Sequence, residues 1–273
     1  MKKFIVHKNL SLKDFTDEVY PQGSFVFSRL LKNKDIKVNG VRAGCDVPVK
    51  VGDEVIYYTT AQQEAALSHT VVFEDENILI CDKPDGVSAE ALASELKGAA
   101  VPVHRLDRNT KGLMVFAKTE QVEQALKEAF KQQKIQKTYL ALCKNSFAVN
   151  AKTLCGYLKK DAKSSSVIIS DKPKNGFVSI QTEYKILKTK DDVALVRIVL
   201  HTGKTHQIRA HMAHIGCPVL GDEKYGDRVL NKKYGSKRQC LVAKQLKFSL
   251  GGSLSYLNGK IFTSSYDLQF PEK

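Results

Sequence analysis

One carboxylate in this chain stands between two guanidiniums. The stretch that holds it is His104-Arg105-Leu106-Asp107-Arg108-Asn109-Thr110-Lys111-Gly112, and an apolar run follows at 113–117. Nearby positive charge favours the ionised form of a carboxyl group, so we expect Asp107 to be charged. An ionised Asp on a rigid scaffold can act as a nucleophile or a base, and Asp is a known nucleophile at sugar carbons. The residue types alone favour a simpler alternative, a surface loop with a local Asp–Arg ion pair, so the rest of the chain must decide.

A second cluster of chemically capable side chains lies at residues 200–216, where four histidines occur at positions 201, 206, 211 and 214. Their spacings of five, five and three residues lack the i, i+4 pair of a helical zinc site. No thiolate or neighbouring carboxylate completes a ligand set, so we expect no metal. Phosphate-binding glycine loops and a serine nucleophile elbow are also missing from the sequence. The candidates for chemistry are Asp107 with its arginines, Tyr139, and the cationic segment around Arg209.

Helices and strands must position those groups. Thr119 is a suitable N-cap, and apolar residues recur after it at helical spacing, which predicts an amphipathic helix. Thr205 is expected to cap a second helix, with Arg209 pointing away from the apolar face formed by Ile208, Met212 and Ile215. Strand patterns recur along the rest of the chain, at 71–73, 78–81, 113–117, 137–143, 177–186, 193–200, 240–250 and 259–262, and a basic loop is expected at 231–238. Because strands outnumber helices and short turns join many of them, we predict an α+β catalytic domain with a mixed, mostly antiparallel β-sheet and flanking helices.

Residues 1–60 have the pattern of a separate small α/β module. A basic helical stretch at 28–34 precedes a strand that ends in Asn39-Gly40, and Asn-Gly is a strong hairpin signal. A second strand pair is expected at 47–55, around a Gly-Asp turn. The module is cationic through Arg29, Lys32, Lys34, Lys37 and Arg42. Residues 61–70 are polar and fit a linker, which leaves 71–273 as the catalytic domain; the alternative for 1–60 is a cap with solvated lysines.

Composition limits the possible partners. The chain has 43 Lys and Arg against 29 acidic residues, and its formal net charge of +14 would attract a polyanion such as nucleic acid. The apolar run Phe4-Ile5-Val6 is too short for a signal peptide, and no stretch approaches a membrane-spanning helix. We therefore expect a cytoplasmic protein without membrane attachment. The six cysteines show no C-x-x-C pairing, and most lie in apolar runs, so we expect buried thiols in a reducing compartment.

Taken together, the motifs resemble one family. The stretch 104–112, followed by Leu113-x-Val115-Phe116-Ala117-Lys118, is similar to the catalytic motif of RluA-type RNA pseudouridine synthases. Three further blocks occur in the order typical of that family: Glu74-Asp75-x-x-Ile78-Leu79-x-x-x-Lys83-Pro84-x-Gly86, then Lys137-x-Tyr139-x-Ala141, then Thr202-Gly203-Lys204-Thr205-His206-Gln207-Ile208-Arg209-x-His211 with Gly221-Asp222-x-x-Tyr225-Gly226. Residues 1–60 resemble the alpha-L RNA-binding motif of a ribosomal small-subunit protein, chiefly in Arg29-Leu30-Leu31 and Ile36-Lys37-Val38-Asn39-Gly40.

The resemblance implies isomerisation of uridine to pseudouridine in folded RNA, ribosomal or transfer, without cofactor or metal. Asp107 would act on the ribose, either as a nucleophile at the anomeric carbon or as a base through a glycal intermediate, and both routes stay open. Arg105 would enter the RNA stack in place of the flipped uridine, which offsets part of the cost of unpairing it. Tyr139 would stack on the extracted base and assist proton removal, and Arg209 would pair with Asp107.

The remaining motif residues are assigned to substrate binding: Ile208 beneath the base, together with His104, Arg108, Lys204 and His206. The sequence departs from the family pattern at three positions, because Lys204 stands where Arg is common, Lys111 where a small hydroxyl residue is usual, and Val242 where His is common. These departures put individual contacts to the substrate in doubt. They do not affect the central catalytic residues Asp107, Tyr139 and Arg209.

Two other functions compete with this interpretation. A non-catalytic RNA-binding or ribosome assembly factor could retain the fold, although the intact Asp107, Tyr139 and Arg209 argue against it. A hydrolase of glycosidic bonds would need a second positioned acid near Asp107, and the motif offers none. We expect RNA as the partner and a monomeric protein.

Overall fold

The computed structural model describes residues 1–19, 27, 30–59, 69–96, 100–161 and 166–272. Ser28 and Arg29 of the expected basic helical stretch, and most of the expected linker, lie outside these residues. Within the described chain, no helix is long and apolar enough to cross a membrane.

The described N-terminal residues include two small sheets, one helix and a further helical stretch at 30–33, which lies within the basic helical stretch predicted at 28–34. Their elements are β1 (Lys2–Ile5), β2 (Leu10–Ser11), α1 (Leu12–Val19), β3 (Ile36–Val38), β4 (Val41–Arg42), β5 (Pro48–Val49) and β6 (Glu54–Tyr57). One sheet has the order β1-β6-β3-β4, and β2 pairs with β5 in the other. Their core is formed by apolar side chains that are almost fully buried: Leu12, Phe15, Leu30, Ile36, Val55 and Tyr57.

The structure confirms one hairpin prediction for this region and overturns another. Strands β3 and β4 are joined by Asn39 and Gly40, whose φ values of 48° and 81° are those of a two-residue type I′ turn. The predicted pairing within 47–55 is wrong, because β5 pairs with β2 and β6 pairs with β1 and β3. Backbone hydrogen bonds from Val6 to Asp53 and from Gly52 to Val6 hold the turn against the end of β1 and separate the two strands.

The rest of the described chain is built on one large sheet. Its elements are β7 (Thr70–Glu74), β8 (Ile78–Lys83), α2 (Ala89–Glu95), β9 (Val101–Pro102), β10 (Lys111–Ala117), α3 (Glu120–Lys131), β11 (Ile135–Lys144), β12 (Ala151–Asp161), β13 (Ser166–Ser170), β14 (Val178–Lys190), β15 (Val193–Leu200), α4 (Gln207–His214), α5 (Arg228–Lys233), β16 (Leu241–Phe248), a 3-10 helix (Gly252–Leu257) and β17 (Ile261–Thr263). The strand order is β13-β12-β14-β15-β11-β16-β10-β8-β7, with β17 beside β16 and β9 beside β10. The predicted α+β class with a mostly antiparallel sheet is confirmed.

A parallel pair joins the two halves of this sheet where the Asp107 segment enters it. Lys111 and Gly112 of β10 pair with Val242 and Ala243 of β16, whereas the other pairs among the described strands are antiparallel. Gly112 has a φ of +115°, and a Cβ at this position would lie 2.3 Å from the backbone oxygen of Ala243. Only glycine allows this approach, so the Gly that follows the Asp107 motif is required for the crossing.

Helix α3 forms as its sequence predicts. The Thr119 hydroxyl accepts a hydrogen bond from the backbone N–H of Val122, which satisfies one of the unpaired donors of the first turn. Val122, Leu126 and Ala129 are buried against one face of the large sheet. Burying such a stripe is what stabilises a helix of this length in water.

Four other local predictions are wrong. Thr205 does not cap helix α4: the cap position is His206, in the left-handed region with a φ of 54° and no side-chain cap. The helix is also not amphipathic, because residues 207–212 are buried on every side of it. The expected basic loop at 231–238 begins as the second half of helix α5, which Asp227 caps. Finally, Cys45 and Cys155 are exposed, so the prediction of buried thiols fails for these two.

Candidate active site

A cavity of about 490 Å³ opens between the Asp107 segment, the first half of β11, the end of β15 and the start of α4. Eight of the nine residues predicted for the site line this cavity: His104, Arg105, Asp107, Tyr139, Lys204, His206, Ile208 and Arg209. Arg108 does not line it. A volume of this size is in the range of small-molecule pockets, and a nucleoside is a ligand of that class.

The backbone around Asp107 is held by a buried lysine. The Lys83 ammonium donates hydrogen bonds to the carbonyl oxygens of Pro84, Val87 and Arg108, at 2.9, 2.7 and 3.0 Å. Arg108 also donates from its Nε to the Gly86 carbonyl, and the Gly86 N–H donates back to the Arg108 carbonyl. Burial lowers the pKa of Lys83 to about 8. Arg108 therefore ties the loop to the turn after β8 and has a structural role in this conformation.

Arg209 links two carboxylates. Its Nη1 donates to Oδ2 of Asp107 at 2.9 Å, while its Nε and Nη2 form a bidentate pair with Asp222 at 2.7 and 3.0 Å. The contact between Asp107 and Arg209 that the family resemblance implies is therefore present. Burial lowers the pKa of Arg209, but the hydrogen bonds and charges of Asp222 and then Asp107 outweigh burial and raise it. The guanidinium stays charged. Because all three of its nitrogens donate hydrogen bonds, the direction of Nη1 toward Asp107 is fixed.

The two carboxylates differ in how completely they are satisfied. Asp222 is fully buried and accepts four hydrogen bonds, two from Arg209 and two from the backbone N–H groups of Lys224 and Tyr225. Asp107 has a side chain that is 21% exposed, and among the described residues the hydrogen bond from Arg209 reaches Oδ2 only. Its Oδ1 is left for whatever occupies the cavity, as a nucleophile or base requires.

A histidine and a tyrosine complete this wall of the cavity. His206 Nε2 lies 3.9 Å from Oδ2 of Asp107, and Nδ1 of the same ring lies 3.0 Å from the Tyr225 hydroxyl. Burial is the main cause that lowers the pKa of His206, so the ring is neutral at neutral pH. The Tyr225 hydroxyl accepts a hydrogen bond from the N–H of Val167, and the Arg209 guanidinium lies 5.2 Å from the centre of its ring.

Tyr139 lies on the opposite wall, on strand β11. Its side chain is largely buried, and burial followed by the Asp107 charge raises the pKa of its phenol above the usual value. The hydroxyl is therefore protonated at neutral pH. Ile208, at the start of helix α4, is also buried and lines the same cavity. An aromatic ring and an aliphatic side chain in one cavity suit a flat, partly apolar ligand such as a nucleobase.

The other predicted substrate contacts are of two kinds. His104 Nε2 accepts the backbone N–H of Val115 at 3.0 Å, and burial, followed by the charge of Lys137, lowers the pKa of His104 to about 3. This imidazole is neutral and is engaged by the fold. Arg105 and Lys204, by contrast, are exposed, and the Arg105 guanidinium has only a weak 3.8 Å contact with Glu90. Arg105 therefore lines the cavity with an exposed side chain.

The sequence did not single out several residues that shape the site. Asp222 and Tyr225 lie in a motif that was noted only for its resemblance, and Lys83 in another. Gln207 was also missed: its side chain joins Thr202, Thr182 and the N–H of Lys204, which fixes the loop before helix α4. Among these residues only Lys83 carries a signal in the sequence, because it follows the apolar run at 78–81 and a polar group buried in such a strand needs partners.

Metal binding has no support from the geometry. Among the residues that the structure describes, no group of three or more His, Cys, Asp or Glu side chains is arranged to hold a metal ion. The histidines of the second cluster make separate contacts instead, with His201 near Glu183, His211 near Thr182 and His214 near Asp171.

Comparisons with known proteins agree with this geometry. The family model described as RNA pseudouridylate synthase matches residues 77–214. The "Ribosomal large subunit pseudouridine synthase C" of Salmonella typhimurium is 30% identical over 257 residues, covering 82% of this chain and 80% of the relative. The protein of the same name from Rickettsia felis is 31% identical over 252 residues, covering 80% and 82%. The solved structure of human RNA pseudouridylate synthase domain containing 1 has the same fold, with a TM-score of 0.60 at 21% identity over 75% of this chain and 92% of that one. The chain belongs to the RNA pseudouridylate synthase family, whose members are isomerases.

Proposed function

We propose that this protein converts uridine to pseudouridine in ribosomal RNA of the large subunit, with Asp107 as the reacting group. The substrate class is suggested by the names of its relatives, and transfer RNA is the alternative. The observation that carries the role of Asp107 is its position in the cavity, with Oδ2 bound by Arg209 and Oδ1 without a hydrogen bond from the described residues.

The proposed reaction breaks the bond from C1′ to N1 of uracil and forms a bond from C1′ to C5, after which C5 loses its proton and N1 takes one up, so that the product is an isomer of uridine. Asp107 would start it by attacking C1′ or by removing a ribose proton to form a glycal. Tyr139 would stack on the base and Ile208 would pack beneath it, while Arg105 replaces the flipped uridine in the RNA stack. Because Tyr139 is held as a neutral phenol, it would orient the base and accept the C5 proton only with a partner.

The reaction rearranges one nucleotide with no net oxidation and no transfer to a second molecule, and the family resemblance implies that it proceeds without metal or cofactor. We also propose that the protein acts as a cytoplasmic monomer.

Residues 1–60 would form a separate RNA-binding module, joined by the 61–70 linker to the catalytic domain 71–273. Its support is the resemblance of its motif and the overall charge of +14, which together predict binding that weakens as salt is raised.

The decisive assay uses an unmodified transcript of large-subunit ribosomal RNA. Wild-type protein is expected to form pseudouridine that chemical labelling maps to defined uridines. Asp107→Asn should form none while still binding the transcript, because it keeps the shape of the side chain and loses its charge. Asp267→Asn, a change at an exposed aspartate outside the cavity, serves as the matched control.

Two outcomes would contradict the proposal. Product formed by Asp107→Asn would remove the role of Asp107. No product from wild type on either large-subunit ribosomal RNA or unmodified transfer RNA, with binding intact, would favour the second candidate, a non-catalytic RNA-binding or assembly factor.

A further inference from the structure

A further cation, Lys137, enters the cavity from strand β11. Lys137 precedes Tyr139 by two positions, and side chains two apart on a strand point to the same face, so both line the cavity. The Lys137 ammonium lies 6.0 Å from the centre of the Phe130 ring. It also packs against Gly203, where a Cβ would be only 2.9 Å from Nζ. The side chain is half-buried and points into the cavity rather than out to bulk solvent.

No described residue compensates this charge. Lys137 has no ion pair and no hydrogen bond from its ammonium within the described chain, and burial lowers the pKa of the group. Asp107 is the only carboxylate among the residues that line the cavity, and Arg209 already binds it. A desolvated ammonium without a partner costs folding free energy, so its retention in a cavity points to an anion that arrives from outside.

The surroundings of Lys137 place it near the mouth of the cavity. Lys131, Gln133 and Lys204, which line the cavity beside it, are all exposed. Tyr139 lies farther in, with its Cα about 6.7 Å along the strand from that of Lys137. A nucleotide whose base lies against Tyr139 would extend its sugar and phosphates toward the mouth, on the side of Lys137.

We propose that the Lys137 ammonium binds a phosphate group of the nucleotide whose uridine occupies the cavity. The proposal rests on the proposed function, since it assumes a nucleotide with its base against Tyr139. A flipped nucleotide carries its two flanking phosphates with it, and each supplies the negative charge that the cavity lacks at this end. A uracil carbonyl could accept a hydrogen bond from the same ammonium but would leave its charge uncompensated.

Single phosphates can be neutralised to test this. Once the modified uridine has been mapped in the ribosomal transcript, synthetic RNA fragments would carry one uncharged methylphosphonate, either 5′ of that uridine, 3′ of it, or two nucleotides away. Wild-type protein should lose roughly 10- to 100-fold in single-turnover rate at one of the two adjacent positions, as expected for the loss of a hydrogen bond between charged groups. Lys137→Met should be slowed similarly on unmodified-backbone RNA and should show no further loss at that position.

The control variant is Lys134→Met, which removes the same charge from an exposed position outside the cavity. It should respond to the methylphosphonates as wild type does. If Lys137→Met and each methylphosphonate lower the single-turnover rate independently, their fold-losses multiply when they are combined. In that case the ammonium does not bind these phosphates and the proposal is overturned. A wild-type protein that forms no pseudouridine in any transcript is a different result, since it rejects the proposed function before Lys137 is tested.

Unfolding in urea without RNA gives an independent measurement. Because Lys137 has no described partner to lose, Lys137→Met should unfold at the same urea concentration as wild type or a higher one. A clearly lower urea midpoint for Lys137→Met would show that the lysine stabilises the folded protein and would contradict the proposal.

Discussion

Two lysines near the cavity, one fully buried and one half-buried, are held in opposite ways. Lys83, at the end of β8, is fully buried, and its ammonium donates to three carbonyl oxygens. Lys137, at the start of β11, has no hydrogen-bond acceptor within the described residues. Burial lowers the pKa of both. The difference shows that burial alone does not define a role: the acceptors around Lys83 make it part of the fold, whereas those for Lys137 must come from a ligand.

The same contrast extends to the walls of the cavity. On the side of Arg209, each charge has a fixed partner, because Asp222 is saturated by four donors and Arg209 is shared between Asp222 and Asp107. On the side of Lys137, the ammonium has no such partner among the described residues. If this contrast is correct, removing a charge from the first side should destabilise the protein, and removing Lys137 should not.

Arg209→Met should give the largest effect on stability. It leaves Asp222 as a fully buried carboxylate without its cation, and breaking a buried ion pair from one side costs about 3–5 kcal/mol. The free energy of unfolding, measured in urea at pH 7.5, should fall by about that amount, and pseudouridine formation should be lost. Arg238→Met removes an exposed arginine whose pair with Asp85 is on the surface, so it should cost less than about 1 kcal/mol. Equal losses in the two variants would contradict the contrast.

Lys83→Met should follow in size. The variant takes a donor from three carbonyl oxygens, of which, within the described chain, only that of Arg108 keeps a second one, the Gly86 N–H. An unsatisfied buried polar group costs about 1–3 kcal/mol, partly offset here because a buried charge is removed. We expect a loss of about 2 kcal/mol in the free energy of unfolding. Turnover should fall less than in Asp107→Asn, because Lys83 holds the backbone of the loop and does not line the cavity. Lys118→Met, at a partly exposed pair with Glu74, is the control. A Lys83→Met protein as stable as wild type would show that the three carbonyls find other donors.

Local signals in the sequence predicted much of the fold. Thr119 caps helix α3 and Asn39-Gly40 forms a type I′ turn because both depend on residues close in the chain. The cap of helix α4 was wrongly predicted because Gln207 bonds to Thr182 and fixes the preceding loop through a residue 25 positions away. The pairing within 47–55 failed for the same reason, since each strand pairs with another strand of the N-terminal residues.

The site was predictable to a different extent. The Asp107–Arg209 contact joins residues 102 positions apart, and only the resemblance to a known family implied it. Asp222 and Lys83 were missed because their roles depend on which groups the fold brings to them, and neither periodicity nor spacing reports that. The role of Lys137 could not be predicted for the same reason. It is inferred from the lack of a carboxylate partner for its ammonium within the described structure.

The last prediction concerns His104, a neutral side chain near Lys137 that, unlike that lysine, is engaged by the fold. Its Nε2 must stay unprotonated to accept the Val115 N–H, and its pKa is lowered to about 3, whereas an unfolded chain has a histidine pKa of about 6.5. The unfolded state therefore binds a proton first as pH falls, so this contribution to stability is complete above about pH 6.5 and is lost progressively toward pH 3. Between pH 7.5 and pH 5 it should remove on the order of 1–2 kcal/mol from the free energy of unfolding. His104→Gln, which can accept the same N–H without titrating, should lose correspondingly less over this range, while His7→Gln, at an exposed ring, should follow wild type. If the free energy of unfolding falls equally with pH in wild type and His104→Gln, this imidazole is not the acceptor that holds β10 to the segment containing Asp107.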